Sequence, residues 1–231
     1  MSGLIDAALD LVYPPKCAFC RRLVRDGRML CSACERTLPF PAEDEEQISL
    51  PPLAFCLAPL YYTDSVRDSL HRYKFHGLAA YCGIYAELMT DCLRRHGAEA
   101  DVITWIPLSR KRLRKRGYDQ AELLAEEVSR RTGIPCMKLI RKIRNNPAQS
   151  GTVSAEERKR NVRGVYRAEN IPSNSRVLLI DDIVTTGSTL CEAAGVLLEP
   201  QAARAKTMAR VSTSAMSFFI LSFSFLIFYK K

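Results

Sequence analysis

Two hydrophobic patterns alternate along the second half of the chain. Strand-like segments lie at 101–106, 135–140, 176–183 and 206–211. Between them, apolar residues recur every three or four positions, which predicts helices at 118–131 and 188–198. Strands that alternate with helices in this way indicate βαβ units, and therefore an α/β fold with a parallel sheet covered on both faces.

The first hundred residues contain further helices. Helical periodicity predicts a helix over 4–12, which Pro14 and Pro15 end, and two more at 64–75 and 79–95; a strand is expected within 53–62. The first residues lack the basic start and the apolar run of a signal peptide. We therefore expect a cytoplasmic protein, in which the nine cysteines do not form a secreted disulfide scaffold.

Four cysteines are grouped near the N-terminus with the spacing Cys-x2-Cys-x10-Cys-x2-Cys. This spacing can bring four thiolates to one tetrahedral Zn²⁺ ion, with Cys17, Cys20, Cys31 and Cys34 as the ligands. Because four protein ligands close the coordination shell, the predicted site is structural rather than catalytic. Disulfides and unrelated buried thiols are the alternatives.

An acidic, proline-rich stretch at 41–52 is typical of a linker. It separates an N-terminal helix and zinc module at 1–40 from a main domain at 53–211. The remaining tail, 212–231, is strongly apolar, and residues 211–229 carry no charge. Three interpretations of the tail are open: an element packed on the core, which we favour, an altered reading frame at the terminus, or membrane attachment, since roughly 20 residues can cross a bilayer.

Positive charge is concentrated in one part of the chain. The whole protein has a formal net charge of +9, whereas residues 110–167 alone hold 17 Lys/Arg against 6 Asp/Glu, an excess of 11. The densest run is 110–116. This distribution favours a phosphate-bearing partner, although a solvated basic face is the competing interpretation.

The most informative segment is 176–190. Four apolar residues predict a strand buried on both faces, and Asp181 and Asp182 follow directly. Residues 185–189 then supply hydroxyls, one glycine and the amide groups of a helix N-terminus, which together suit a phosphate. Carboxylates repel phosphate, but a ribose 5-phosphate satisfies both groups: its phosphate can meet the amides while its hydroxyls, with any bound Mg²⁺, face the carboxylates.

Residues 179–189 resemble the phosphoribosyl-pyrophosphate (PRPP) signature of type I phosphoribosyltransferases. The chain as a whole resembles the ComF family of competence-associated, phosphoribosyltransferase-like proteins. The motifs that carry this resemblance are the four cysteines and the segments 71–77, 106–120, 149–151 and 157–161. It implies a type I phosphoribosyltransferase-like parallel sheet with flanking helices, preceded by a small zinc-ribbon-like module.

The resemblance also assigns roles to individual positions. Asp181 and Asp182 would hold the ribose hydroxyls directly or through Mg²⁺. The 5-phosphate would be bound by Thr185, Thr186, Gly187, Ser188 and Thr189. Residues 107–117 would form a pyrophosphate loop, and 145–163 a mobile loop over the site. The residues expected to contact pyrophosphate or nucleic acid are Arg110, Arg112, Arg114, Lys115, Arg116 and Gly117.

One position departs from the family pattern inside these motifs. The family usually has Asn where this chain has Asp119. A contact that needs an amide donor is therefore expected to be altered.

Three functions compete at this point. The first is binding of a PRPP-like ligand together with single-stranded DNA during natural competence, alongside the DNA-uptake machinery. The second is an active phosphoribosyltransferase of nucleotide metabolism, whose acceptor base the sequence does not reveal. The third is a zinc adaptor with a degenerate pocket, which the intact signature disfavours. We expect the first, and whether the protein turns over a substrate stays open.

Overall fold

The computed structural model describes residues 14–24, 28–43, 45–75, 79–145, 160–172, 175–184, 186–207 and 218–222. In chain order, the strands described are β1 (Gln47–Ile48), β2 (Phe55–Leu57), β3 (Val102–Trp105), β4 (Ile140–Lys142), β5 (Tyr166–Ala168), β6 (Val177–Asp181) and β7 (Phe218–Ser222). The α-helices described are α1 (Ser32–Thr37), α2 (Asp64–Phe75), α3 (Cys82–Arg95), α4 (Arg110–Arg116), α5 (Gln120–Thr132) and α6 (Ser188–Thr207); a 3-10 turn, Ala79–Tyr81, precedes α3.

The main sheet has the strand order β1-β2-β7-β6-β3. Its last four strands run parallel, and β1 pairs antiparallel with β2 at one edge. In β6 and β3, Val177 pairs with Val102 and Ile180 with Trp105. A separate antiparallel pair, β4 and β5, stands beside this sheet. The predicted α/β fold with a parallel sheet is confirmed.

Side chains of β6 alternate between two hydrophobic clusters, one on each face of the sheet. Leu178 and Ile180 pack with the face that α2, α3 and α5 cover. Val177 and Leu179 pack with the opposite face, which includes residues of α6 and of the β4–β5 pair. Because both faces are covered, all four positions are buried and apolar, as expected for a central parallel strand.

The helices at the predicted positions follow their local signals. Helix α5 begins after Asp119, whose side chain accepts a hydrogen bond from the amide of Ala121, and it ends before Gly133, which adopts the left-handed conformation. The predicted N-terminal helix at 4–12 lies outside the described residues.

Two predicted strands differ from the structure. The segment 135–140 contributes one parallel bridge, between Cys136 and Ile103, before the chain turns into β4. Of the strand predicted at 206–211, Lys206 and Thr207 belong to α6 instead, and residues 208–211 lie outside the described part. The preceding Gln, Ala, Arg and Lys residues are good helix formers, and they carry the helix further than the hydrophobic pattern indicated.

Part of the apolar tail forms the middle of the sheet. The backbone of β7 pairs with β6 on one side and with β2 on the other, with Ser222 opposite Asp181. A strand in this position agrees with the interpretation that the tail packs on the core. Among the helices of the described residues, none combines the length and the apolarity that crossing a membrane requires.

The segment predicted as a linker is packed on the main domain. Glu46 is buried; its carboxylate contacts Arg95 and lies 2.7 Å from Nε2 of His96, at the end of α3. Its carbonyl oxygen accepts a hydrogen bond from the amide of Ala58 at 2.9 Å. A buried carboxylate needs such partners, and they fix the chain between the zinc module and the sheet.

The zinc module is docked on α2 and α3 by hydrogen bonds to its backbone. Arg72 of α2 donates to the carbonyl oxygens of Ala18 and Phe19 at 2.9 and 2.8 Å, and Ser69 donates to that of Ala18 at 2.5 Å. The ring of Phe19 meets the ring of Tyr85 edge-on, with centroids 6.1 Å apart. Helix α2 is therefore held from the side opposite its exposed face.

We predict that Arg72→Ala weakens this docking. Two hydrogen bonds from a charged donor are lost, so the free energy of unfolding of the zinc-loaded protein should fall by about 3 kcal/mol. Urea denaturation measures the change. Arg94→Ala, which removes an exposed ion pair on α3, is the control and should cost less than about 1 kcal/mol. Equal losses in the two variants would contradict the docking role.

Candidate functional site

A crevice of about 500 Å³ opens beyond the carboxyl ends of β3 and β6. Ligands of parallel α/β sheets bind at this edge. Its walls come from α2, from the segment after β3, from α4 and α5, from the β4–β5 pair and from the β6–α6 turn. Among the residues that line it are Lys74, Phe75, Arg112, Arg116, Asp119, Lys142, Tyr166, Asp181, Asp182, Thr186, Gly187, Ser188 and Thr189.

Two adjacent carboxylates lie at the floor of the crevice. Asp181 is the last residue of β6, and its Oδ1 accepts a hydrogen bond from the amide of Asp182 at 2.8 Å. Burial, followed by the charge of Asp182, raises the pKa of Asp181 above its ordinary range. Oδ2 of Asp182 lies 2.9 Å from Nζ of Lys74, and these two side chains are only 14% and 15% exposed. One of the two aspartates, Asp182, therefore forms an ion pair with a lysine from a different part of the chain.

The predicted phosphate loop leads from β6 into α6. Ser188 is the first residue of α6, and its hydroxyl lies 2.7 Å from the hydroxyl of Thr186. Gly187 has φ +70°, and a Cβ added there would lie 2.8 Å from Cδ2 of Leu50. The loop thus needs glycine for both its conformation and its packing. Thr185 lies outside the described residues.

Residues 110–116 form a short helix, α4, where the pyrophosphate loop was expected. Ser109 caps its start through a 3.4 Å hydrogen bond from the amide of Arg112, and Gly117, with φ +84°, ends it. Lys and Arg are good helix formers, and Ser109 and Gly117 set the two ends of this helix. Because these residues form a helix, only part of its circumference can face the crevice.

The helix divides its basic residues between the crevice and the solvent. Arg112 and Arg116 line the crevice, whereas the side chains of Arg110, Lys111, Arg114 and Lys115 are exposed. Gly117 ends the helix, so its role is conformational. Most of the mobile loop expected at 145–163 lies outside the described residues.

Asp119 joins the segment after β3 to the start of α5. Its Oδ2 accepts a hydrogen bond from the amide of Leu108 at 2.7 Å, and its Oδ1 accepts one from the amide of Ala121 at 3.2 Å. Both contacts use acceptors, so no amide donor is needed in this arrangement. Burial raises the pKa of Asp119 to about 6.

An aromatic and cationic stack lines the crevice beside α4. The guanidinium of Arg116 lies 4.7 Å from the ring centroid of Phe75 and donates a 2.7 Å hydrogen bond to Oε1 of Gln120. The ring of His71 lies 4.7 Å from that of Phe75. Phe75 is 51% exposed, which leaves ring surface open to solvent. Sequence reasoning missed this surface because Phe75 and Arg116 are 41 positions apart.

A further lysine comes from the β4–β5 pair. Nζ of Lys142 lies 5.3 Å from the ring centroid of Tyr166, its neighbour across the strands. Burial, and next the charge of Arg112, lower the pKa of Lys142 to about 8. In β4, burial alternates along the strand, so Lys142 lies on the same side as the buried Ile140. The local sequence did not indicate that this side faces the crevice.

The four cysteines of the N-terminal module converge. Their sulfur atoms all lie within 4.8 Å of one another, and those of Cys20 and Cys31 are 3.6 Å apart. Sγ of Cys31 also accepts a hydrogen bond from the amide of Cys34 at 3.4 Å, and this bond lowers the pKa of Cys31 to about 7. Four converging sulfurs, at distances too long for disulfides, fit a tetrahedral zinc ion.

Comparisons with known proteins match two separate parts of the chain. A model of the phosphoribosyl transferase domain matches residues 118–215, and a model of the double zinc ribbon domain matches residues 8–45. The expected fold, a phosphoribosyltransferase-like parallel α/β domain preceded by a zinc-ribbon module, is confirmed. The zinc ribbon match and the converging cysteines support structural zinc.

Several curated relatives span most of the chain. The DNA utilization protein YhgH of Salmonella typhimurium is 29% identical over 81% of this chain and 86% of its own length. Competence protein F of Haemophilus influenzae is 28% identical over 79% and 90%. Competence protein ComFC of Bacillus subtilis is 32% identical over 60% and 55%. This chain is a homologue of these proteins, which confirms the resemblance to the ComF family.

We predict that Asp119→Asn changes how stability depends on pH. The folded-state pKa is raised from 3.8 to about 6, so the folded protein prefers the protonated form, and wild-type stability falls as pH rises between these values. Relative to wild type, the variant should therefore gain about 3 kcal/mol between pH 3.5 and 7, from about 1.4 kcal/mol per pKa unit. Urea denaturation across this pH range measures the gain.

Asp101→Asn is a control of opposite sign. Hydrogen bonds from Arg176 lower the pKa of Asp101 to about 2, so the wild type gains stability from this group as pH rises towards 4. Its difference from wild type should be constant above that range. An Asp119→Asn curve that runs parallel to wild type from pH 4 to 6 would contradict the burial of this carboxyl group.

Proposed function

We propose that this protein binds a phosphoribosyl ligand of the PRPP type in the crevice and handles single-stranded DNA during natural competence. The observation that carries the proposal is the convergence, at one edge of the sheet, of a phosphate loop, two carboxylates and several cations. The names of the relatives, competence proteins and DNA utilization proteins, support the biological setting.

The crevice is polarised in the way that a ribose 5-phosphate requires. The hydroxyls of Thr186 and Ser188, with the N-terminus of the 20-residue helix α6, offer donors and positive dipole to the 5-phosphate. Asp181 and Asp182 offer acceptors to the ribose hydroxyls. Each group of the ligand therefore meets its complement without a phosphate approaching a carboxylate.

The opposite wall suits a second anionic group. Arg112 and Arg116 of α4 and Lys142 of β4 all line the crevice. Guanidinium groups form paired hydrogen bonds with phosphate oxygens, which suits a pyrophosphate attached to the anomeric carbon. The cations on this wall thus come from a helix and a strand, whereas the sequence predicted a pyrophosphate loop.

The carboxylates fit a protein-held Mg²⁺ poorly. Oδ2 of Asp182 already contacts the ammonium of Lys74, and Oδ1 of Asp181 accepts an amide hydrogen bond. The groups of three or more metal ligands found within the described residues contain neither aspartate. Neither carboxylate therefore has both its oxygens free to hold a magnesium ion in this arrangement.

The outer surface of α4 suits the DNA backbone. Its exposed Arg and Lys side chains lie next to the crevice, on a helix with six basic residues out of seven. The exposed ring of Phe75, backed by Arg116, adds a surface on which a base can stack. Phosphate contacts and stacking together are typical of sites for single-stranded nucleic acid.

The phosphoribosyl transferase domain match favours a second candidate, an active transferase of nucleotide metabolism. A nitrogen nucleophile would displace pyrophosphate from the anomeric carbon, with the crevice supplying position and charge stabilisation. Pyrophosphate release from PRPP, screened with purine and pyrimidine acceptors, distinguishes this candidate from ligand binding alone.

We predict that PRPP binds to the wild type. Asp181→Ala combined with Asp182→Ala should weaken binding at least about 100-fold, because two or more hydroxyls of the ligand lose their hydrogen-bond acceptors. Isothermal titration calorimetry measures the affinity, and thermal melting verifies that the variant is folded. Asp91→Ala, on the exposed part of α3, should leave the affinity unchanged. Failure of the wild type to bind PRPP would overturn the proposal.

We also predict salt-dependent binding of single-stranded DNA through α4. Replacing three of its exposed cations by glutamine should weaken binding and lower the slope of log K against log salt by up to about 2, from about 0.7 per phosphate contact. The variant carries Lys111→Gln, Arg114→Gln and Lys115→Gln. Fluorescence anisotropy with a labelled oligothymidine, between about 50 and 200 mM salt, gives the slopes.

The matched control removes three exposed cations elsewhere, with Arg94→Gln, Arg130→Gln and Lys138→Gln. If both variants lose affinity equally, the binding depends on net charge and not on α4. Both should bind PRPP like the wild type, because none of the replaced residues lines the crevice.

A further inference from the structure

We infer that the ammonium group of Lys74 is a built-in counter-charge for the ribose-binding carboxylates, so that the ribose 5-phosphate part of the ligand is recognised without a divalent cation. Any dependence on Mg²⁺ would then be confined to ligands that carry a pyrophosphate. The inference rests on the proposed phosphoribosyl site and assigns its charge balance.

The contact itself is close and sheltered. Nζ of Lys74 lies 2.9 Å from Oδ2 of Asp182, and 15% and 14% of these side chains are exposed. An ion pair with so little solvent exposure is screened weakly, so it differs from the exposed pairs of the surface, such as Arg94 with Asp91. Lys74 also lines the crevice beside the carboxylates.

The backbone of Lys74 is fixed on the side of the crevice. Its carbonyl oxygen accepts a 3.4 Å hydrogen bond from Nε2 of Gln120, and that of Tyr73 accepts one from the hydroxyl of Tyr118. The hydroxyl of Tyr73 in turn donates to the carbonyl oxygen of Gln120 at 3.0 Å. The last turn of α2 is thereby tied to the start of α5.

The same helix is fixed from behind by the zinc module, through Arg72 and Ser69. Helix α2 is therefore fixed by contacts with the zinc module and with the start of α5. These contacts position the backbone of Lys74, whose ammonium group contacts Asp182. A cation placed by the fold before the ligand arrives costs little reorganisation on binding.

A protein-bound Mg²⁺ would compete with this arrangement. To coordinate Oδ2 of Asp182, the ion would have to displace Nζ of Lys74 or share the oxygen with it. Two cations so close together repel each other strongly beside side chains that are so little exposed to solvent. The ammonium and a divalent ion are thus alternatives at Asp182, and the fold supplies the ammonium.

The test uses ribose 5-phosphate and PRPP as separate probes in isothermal titration calorimetry, each with EDTA and with MgCl₂. For the wild type, we expect the affinity for ribose 5-phosphate to change less than about twofold between the two conditions. Lys74→Met should bind ribose 5-phosphate about tenfold more weakly in EDTA and regain about threefold or more with Mg²⁺, because the ion now replaces the missing charge.

Two further variants complete the experiment. Lys74→Arg keeps the charge and should retain binding in EDTA, which separates the charge from a general effect on folding. Lys138→Met, at an exposed position outside the crevice, should behave like the wild type. Thermal melting of each protein verifies that it is folded.

The outcomes separate the two proposals. If neither probe binds to the wild type in either condition, the phosphoribosyl site itself fails. If wild-type binding of ribose 5-phosphate rises about tenfold or more with Mg²⁺, or if Lys74→Met binds it as the wild type does in EDTA, the site stands and the role of Lys74 is overturned.

Discussion

The burial of β6 on both faces is the constraint on which the rest of the structure depends. A strand placed between two hydrophobic clusters must be apolar at every position, and Val177 to Ile180 meet this condition. The first position where the chain leaves the core can carry charge again, and there Asp181 and Asp182 lie together. The site therefore begins where the core ends, and its position is fixed by the same packing that stabilises the sheet.

Helix α2 connects the two modules. One side of it donates to the backbone carbonyls of the zinc module, and its last turn carries Lys74 and Phe75 into the crevice. The zinc module thus has a role in the main domain that its small size does not suggest. By holding α2 from behind, it contributes to the placement of the cation that contacts Asp182.

The crevice combines opposite charges that come from different elements, and one pair of them, Lys74 and Asp182, is in direct contact. Carboxylates come from the end of β6 and from Asp119, whereas cations come from α2, α4 and β4. The result is a polar site that carries carboxylates and cations together, as the proposed phosphoribosyl ligand requires.

The sequence alone determined the features that depend on local pattern. Four apolar residues followed by Asp181 and Asp182 predicted a buried strand ending in a polar site, and the cysteine spacing predicted the zinc module. Helix α2 was predicted with its observed boundaries, because hydrophobic periodicity is a property of neighbouring residues. Such signals are contained within one element and need no knowledge of the rest of the chain.

Only the tertiary structure decided which distant residues complete the site. Lys74 reaches Asp182 across 108 positions, and Phe75 meets Arg116 across 41. Residues 110–116, expected within a pyrophosphate loop, form the helix α4. Part of the apolar tail forms β7, which pairs with β6. These features depend on how elements pack against one another, and packing brings together residues whose local patterns carry no information about their partners.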